Sequence, residues 1–257
     1  MNLSSLQNGS DIRGIALGKH PTLTLENADV LSRAFVVWLA KQTKKSQVRV
    51  AVGMDSRLSG PALRQACLKA LQDSGAFVID CGMASTPAMF MTTVSPHTEC
   101  DGAIMITASH LPSDRNGMKF FTTRGGLESS EIKQLIALAE TPLPHGLQGS
   151  VSSCDFISLY AADLRQKIIT ETGCDQPLAG LNIIVDAGNG AGGFFADRVL
   201  APLGADTSGS QFLEPDGHFP NHIPNPENAQ AMESLVQAVQ KHNADFGLIF
   251  DTDVDRV

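Results

Sequence analysis

Basic residues are the minority in this sequence. Lysines and arginines number 19 against 27 aspartates and glutamates, for a net charge of −8. A nucleic-acid-binding surface needs a basic face, so that class is excluded. An anionic ligand would have to be met by local positive charge rather than by the field of the whole molecule. Long apolar runs are absent too. None approaches the roughly 18 residues of a membrane span, so a membrane partner is not expected. The chain does not open on a basic stretch followed by an apolar core, so no secretory signal peptide is expected. The five cysteines, Cys67, Cys81, Cys100, Cys154 and Cys174, are odd in number and contain no Cys-x-x-Cys. That argues against a disulfide framework or a zinc site and for reduced thiols in an intracellular protein. The expected setting is the cytoplasm or, alternatively, the plastid stroma.

What is present is a globular balance over 257 residues, 42% hydrophobic and 18% charged, enough for two domains of ordinary size. Strand and helix signals alternate along the chain. Leu31, Ala34, Phe35, Trp38 and Leu39 recur at helical spacing, with Trp38 read as core. Strands are predicted over 48–52, 76–80, 102–106 and 118–121. Helices are predicted from Gly60-Pro61 to the stop signal at Gly75, from Thr86-Pro87, and over 129–140. Residues 141–146, with two prolines and a glycine, read as a linker. A second unit follows: helices over 156–172, 192–203 and 228–242, strands over 182–185, from Ala205 and over 246–250, and a long proline-rich loop over 214–226. Such alternation predicts an α/β fold, two tandem three-layer α/β/α domains with mixed, mostly parallel sheets. The domains are placed at 1–147 and 148–257.

The two units read as copies. Asp101-Gly102-Ala103-Ile104-Met105-Ile106 precedes a polar loop containing Ser109, and Asp245-Phe246-Gly247-Leu248-Ile249-Phe250 precedes an acidic loop. In open α/β sheets sites form at the carboxyl ends of strands, so the same strand end presents Ser109 in one copy and Asp251 in the other. Asp55 and Arg57 are read as bracing residues, and His218 and His222 as loop residues.

The acidic loop, Asp251-Thr252-Asp253-Val254-Asp255-Arg256, brings three carboxylates close together. Unpaired, they would raise each other's pKa; a bound cation resolves the repulsion, and oxygen-only ligands select Mg²⁺ or Ca²⁺. An EF-hand is a poor fit, because Arg256 stands where that loop needs glycine and a strand, not a helix, precedes it. A haloacid-dehalogenase-type phosphatase, with Asp251 as nucleophile, is an alternative; a solvated turn without metal is another. Gly188-Asn189-Gly190-Ala191-Gly192-Gly193 fits Gly-x-Gly-x-x-Gly, but reads as a tight strand-to-helix turn rather than a dinucleotide site.

Four ordered segments point one way. Ser10-Asp11-Ile12-Arg13-Gly14, Thr107-Ala108-Ser109-His110-Leu111-Pro112, the loop from Pro215 to Pro226, and Asp251 to Arg256 together resemble the α-D-phosphohexomutases, the family of phosphoglucomutase and phosphomannomutase. The departures are Leu111, where the family usually has asparagine, and Thr252, where it has glycine. The resemblance covers the family's first two domains, so domains III and IV are expected to be absent and the isolated chain inactive. It implies a phosphoserine at Ser109 and interconversion of hexose 1-phosphate and hexose 6-phosphate through a hexose bisphosphate. It further implies Mg²⁺ held by Ser109, Asp251, Asp253 and Asp255; phosphate binding by Arg13, Lys119 and Arg256; proton transfer by Lys119; and a phosphate contact from His110. The remaining alternative is a non-catalytic fragment that keeps the fold and the metal site.

Overall fold

The computed structural model describes residues 2–257. The chain forms two compact units. The first comprises the chain up to Met54 and Ser59–Cys154; the second comprises Asp55–Leu58 and Asp155–Val257.

The first unit is built on β1 (Gln7–Asn8), β2 (Asp11–Ile15), α1 (Leu25–Thr43), β3 (Arg49–Met54), α2 (Gly60–Asp73), β4 (Phe77–Met83), α3 (Thr86–Met91), β5 (Gly102–Ile106), β6 (Arg115–Thr122), β7 (Gly125–Gly126), α4 (Ser129–Ala139) and β8 (Ser150–Ser153). The strands make one eight-stranded sheet in the order β1-β2-β6-β5-β3-β4-β8, with β7 beside β6. β5, β3, β4 and β8 run parallel, and β6 and β2 are antiparallel to their neighbours. The predicted mixed α/β architecture is what forms. One sheet face carries Ile12, Met118, Phe120, Ile104, Ile106, Val50 and Val52, and these pack with Leu31, Phe35, Trp38, Leu39, Leu63, Leu71, Ile132 and Leu135 of α1, α2 and α4. Apolar residues at helical and at alternating spacing thus meet across a single core. α3 packs on β3, β5 and β6. Local signals set the helix ends. Thr24 and Asn27 form a capping box at α1, Glu128 and Glu131 form one at α4, and Pro61 lies in the first turn of α2. No helix among the described residues is long and apolar enough to cross a membrane.

Two differences from the sequence reading concern the chain's ends in this unit. The segment Asn8–Gly14, polar and glycine-flanked with the composition of an N-terminal turn, instead contributes strand β2, hairpinned to β1 about Gly9, which has φ 60°. It pairs with β6, and β6 accordingly starts at Arg115 rather than Met118. The first unit also runs past the division at 147/148. Leu147, Gly149 and Ser150 donate to Asp73, Gln72 and Ala76 carbonyls, and β8 extends the sheet beside β4. The second unit opens at Asp155, whose side chain caps the next helix.

The second unit contains α5 (Phe156–Thr172), β9 (Ile183–Asp186), α6 (Ala229–His242) and β10 (Phe246–Ile249). β9 and β10 pair in parallel. The strand expected from Ala205 is reduced to two parallel bridges, Asn182 with Asp206 and Asp186 with Gln211. The helix expected over 192–203 is a π-helical segment, Phe195–Leu200, followed by a 3-10 turn, Ala201–Leu203. Pro202 explains the change, since it supplies no N–H and its ring blocks a regular α-helical turn.

The repeat inferred from sequence has a structural counterpart. β3 and β5 pair in parallel as β9 and β10 do. In the first unit Asp101 accepts from the Arg49 N–H at 2.9 Å, and its own N–H donates to the Arg49 carbonyl. In the second unit Asp245 does the same with Asn182, at 2.8 Å.

Candidate functional site

In the first unit the serine loop leaves the carboxyl end of β5. Thr107 continues the ladder, its N–H donating to the Gly117 carbonyl. The chain then turns sharply. Ser109 has φ 53°, a left-handed conformation that costs a non-glycine residue about 1–2 kcal/mol. The Thr107 hydroxyl accepts the Ser109 N–H at 2.8 Å and offsets part of that cost. Leu111 N–H donates to Ala108, closing the turn. Ser109 is buried, and its Oγ lies 3.4 Å from Nδ1 of His110.

Strand register decides what lies near this turn. Arg13 on β2 pairs with Gly117 on β6. Directly paired residues of an antiparallel ladder point to one face, as do residues two apart. Arg13, Lys119 and Thr107 therefore share the sheet face opposite the Ile12–Met118–Phe120 core. Gly117 is required between them: a Cβ there would stand 2.5 Å from the Ile12 carbonyl oxygen and 2.6 Å from that of Thr107. Arg13 is held by Asp11 at 2.7 Å. Arg13 and Lys119 are thus on one sheet face, and Ser109 and His110 lie in the turn beyond β5.

The acidic loop closes on itself in the second unit. One Asp251 carboxylate oxygen accepts the N–H groups of Asp255 and Arg256, at 3.1 and 3.2 Å. The other takes Arg256 Nη2 at 2.7 Å. Val254 turns the chain with φ 65°. Asp251 and Asp253 are fully buried, and one oxygen from each of Asp251, Asp253 and Asp255 lies within 4.8 Å of the others. Burial disfavours the charge on Arg256, but the Asp251 hydrogen bond and the field of the three carboxylates outweigh it and push its pKa upward.

These residues fit a hard divalent cation. The donors are all oxygen, two carboxylates are withdrawn from water, and one arginine does not neutralise three of them. Oxygens on an octahedral Mg²⁺ lie about 3–4 Å apart, a small side-chain adjustment from the spacing here.

The Gly188–Gly193 segment is the bed of this loop. Ala191 N–H donates to the Thr252 carbonyl at 2.8 Å. A Cβ on Gly190 would meet that oxygen at 2.7 Å. The glycine pattern thus serves close packing under the acidic loop, the strand-to-helix turn favoured by sequence. Arg57 and Asp55 are buried and paired, Nε to Oδ2 at 3.3 Å, and the Arg57 guanidinium lies 5.6 Å from the Phe219 ring centroid. Of the two loop histidines, His218 is exposed beside Asp216. His222 is buried against Asp186, an arrangement the sequence reading did not find. Its signal was an aspartate closing an apolar strand just before a glycine turn.

Comparison with known proteins agrees with this anatomy. Residues 4–141 match the model of phosphoglucomutase/phosphomannomutase, alpha/beta/alpha domain I, and residues 159–257 match that of domain II. A phosphoglucomutase of Neisseria gonorrhoeae is 38% identical over 96% of this chain and 51% of its own. A phosphomannomutase/phosphoglucomutase of Pseudomonas aeruginosa PAO1 is 34% identical over 99% of this chain and 51% of its own. The crystal structure of a phosphoglucomutase/phosphomannomutase family protein from Burkholderia thailandensis superimposes with a TM-score of 0.82 at 29% identity, over 97% of this chain and 53% of that one. The chain spans about half the length of these relatives. With both domain models matched in order along the sequence, the chain belongs to the phosphoglucomutase/phosphomannomutase family.

Proposed function

We propose that this chain carries the phosphoryl-accepting and metal-binding half of a phosphohexomutase. Ser109 takes a phosphoryl group from a hexose bisphosphate and returns it, so that phosphate moves between the 1- and 6-positions. The observation that carries the reading is the Ser109 turn. A buried serine in a strained conformation follows a parallel strand, and Thr107, which receives its N–H, shares a sheet face with Arg13 and Lys119. Strain of that kind persists only where surrounding structure enforces it, and it clusters at functional sites.

The residues take distinct roles. Phosphoryl transfer is catalysed mainly by positioning and charge stabilisation. Arg13 presents a planar fork suited to phosphate oxygens. Lys119 is the candidate proton carrier for the sugar hydroxyl, and His110 donates toward the Ser109 phosphate. Arg256 supplies a further cation for phosphate while it steadies Asp251. Asp251, Asp253 and Asp255 would hold Mg²⁺, which would supply positive charge against a phosphoserine charge of about −1.5 to −2 and Lewis-acid polarisation of a phosphorus. The phosphatase alternative is disfavoured because Asp251 is fully buried and both its oxygens already accept hydrogen bonds.

The test is intact mass after incubation with a hexose 1,6-bisphosphate. One phosphoryl group is expected, lost in Ser109→Ala and mapped to Ser109 by peptide mass. Phosphate on Asp251 would refute the reading. Mutase turnover by the 257-residue chain alone is expected to be near background, because half of each relative's length lies outside it; robust turnover would overturn that part.

A further inference from the structure

The His222–Asp186 pair has no part in the roles above, yet it is almost wholly withdrawn from water. Both side chains are at most 2% exposed. Asp186 closes β9, and its carboxylate accepts the Gly188 N–H at 2.9 Å and Gln211 Nε2 at 2.7 Å. His222 Nε2 lies 3.0 Å from each oxygen of Asp186, and its Nδ1 lies 3.0 Å from the Ile223 carbonyl oxygen. A carbonyl only accepts and a carboxylate only accepts, so both ring nitrogens must carry protons to satisfy both contacts. The ring is further fixed edge-on to Phe212, with centroids 5.4 Å apart.

The pair holds a turn that is costly by itself. Gly188 and Asn189 are consecutive left-handed residues, with φ 52° and 60°. Asn189 is tied on three sides: its N–H to the Phe212 carbonyl, its Nδ2 to Glu214 and its Oδ1 to Asn221. That turn presents Gly190 and the Ala191 N–H to Thr252, the residue between Asp251 and Asp253. A chain of contacts therefore runs from His222 through Asp186 and the 187–191 turn to the acidic loop.

We propose that His222 is a positioning residue for the cation site. Clamped on Asp186, it fixes the turn on which Thr252 rests, and thereby the spacing of the Asp251 and Asp253 carboxylates. The inference rests on the mutase reading's assignment of a divalent cation to those carboxylates. His222 touches neither cation nor substrate in this role.

Mn²⁺ binding to the whole 257-residue chain, counted by electron paramagnetic resonance of free Mn²⁺, tests it without any turnover. His222→Gln and Asp186→Asn are each expected to weaken binding about tenfold, the low end for residues behind metal ligands, with one site retained. Asp253→Asn should abolish the site, and His218→Ala on the same loop should bind as wild type. A merely structural histidine would lower the melting temperature and leave the affinity of the folded protein unchanged; that result overturns the proposal. Should His222→Gln fail to fold, Asp186→Asn, which keeps an oxygen for the Gly188 N–H, carries the same test. Absence of saturable Mn²⁺ binding by the wild type also overturns it. The Ser109 phosphoryl measurement then decides separately whether the mutase reading stands.

Discussion

The two strand-end loops of this protein start from the same frame and arrive at opposite chemistry. Each follows a parallel strand whose preceding aspartate braces the neighbouring strand, Asp101 on Arg49 and Asp245 on Asn182. Beyond the strand, the serine loop is stabilised by its surroundings. Thr107 holds the Ser109 N–H, and β6 and β2 lie beside it. The acidic loop is stabilised largely from within, Asp251 accepting from Asp255 and Arg256, with the glycine turn beneath it. The frame supplies a rigid strand end, and the loop residues alone decide whether it presents a nucleophile or a cluster of acceptors. This is the division expected where function lives in sites grafted on a common fold.

The largest test of this comparison is steric. Gly117→Val would force a Cβ against the Ile12 and Thr107 carbonyl oxygens at 2.5 and 2.6 Å. A loss of about 3 kcal/mol or more is expected by urea denaturation, since both obstacles are backbone of paired strands. Near-wild-type stability would mean that the serine loop does not depend on its sheet neighbours.

Next come the matched aspartates. Asp101→Ala should cost about 2 kcal/mol, because it also removes the ion pair with Lys45 at 2.5 Å. Asp245→Ala, whose hydrogen bond is exposed, should cost about 1 kcal/mol. Equal effects at denaturation would show that the Lys45 ion pair adds nothing to the brace; no effect of Asp245→Ala would undo the equivalence of the units.

A pH effect should appear in the second unit. Burial opposes the charge on His222, but the Asp186 carboxylate and the Ile223 carbonyl outweigh it and raise its pKa above the usual 6.5. The sign follows from linkage. The stabilisation is fully present below about pH 6.5 and is lost as pH rises through the raised folded-state value, at about 1.4 kcal/mol per unit of displacement. Urea midpoints of wild type and His222→Gln should therefore converge between pH 6 and pH 9. A gap that stays constant over that range would show that His222 is neutral in the fold.

The smallest expected effect has the opposite sign. Thr252 Oγ1 is buried without a hydrogen-bond partner, so Thr252→Val removes an unsatisfied hydroxyl at nearly constant volume. A gain of about 1 kcal/mol is expected in thermal unfolding; a loss would point to a partner for that hydroxyl within the acidic loop.

Much of this architecture was legible in the sequence, because the signals concerned are local. Helix spacing around Leu31–Leu39, the apolar run at 102–106, the boundaries of α5 and the order of the two loops all depend on residues close along the chain. Caps at Thr24 and Asn228 are local as well. The misreadings share a cause in long-range pairing. Ser10–Gly14 has turn-like composition, yet Ile12 and Arg13 become strand residues because β6, about 100 residues away, offers the ladder. Residues 150–153, four exposed positions with little apolar content, become a strand only because β4 has a free edge there.

The sequence by itself determined which chemical groups this protein has at its two strand ends: a serine with a histidine beside it, three alternating aspartates with an arginine after them. Tertiary structure decided how those groups are held. Register placed Arg13 and Lys119 on the face where Thr107 receives the Ser109 N–H. Close approach made Gly190 the floor of the acidic loop. Burial turned His222 and Asp186, 36 positions apart, into an ion pair behind it. Local periodicity carries no information about partners so distant in sequence; only the closing of the chain brings them together.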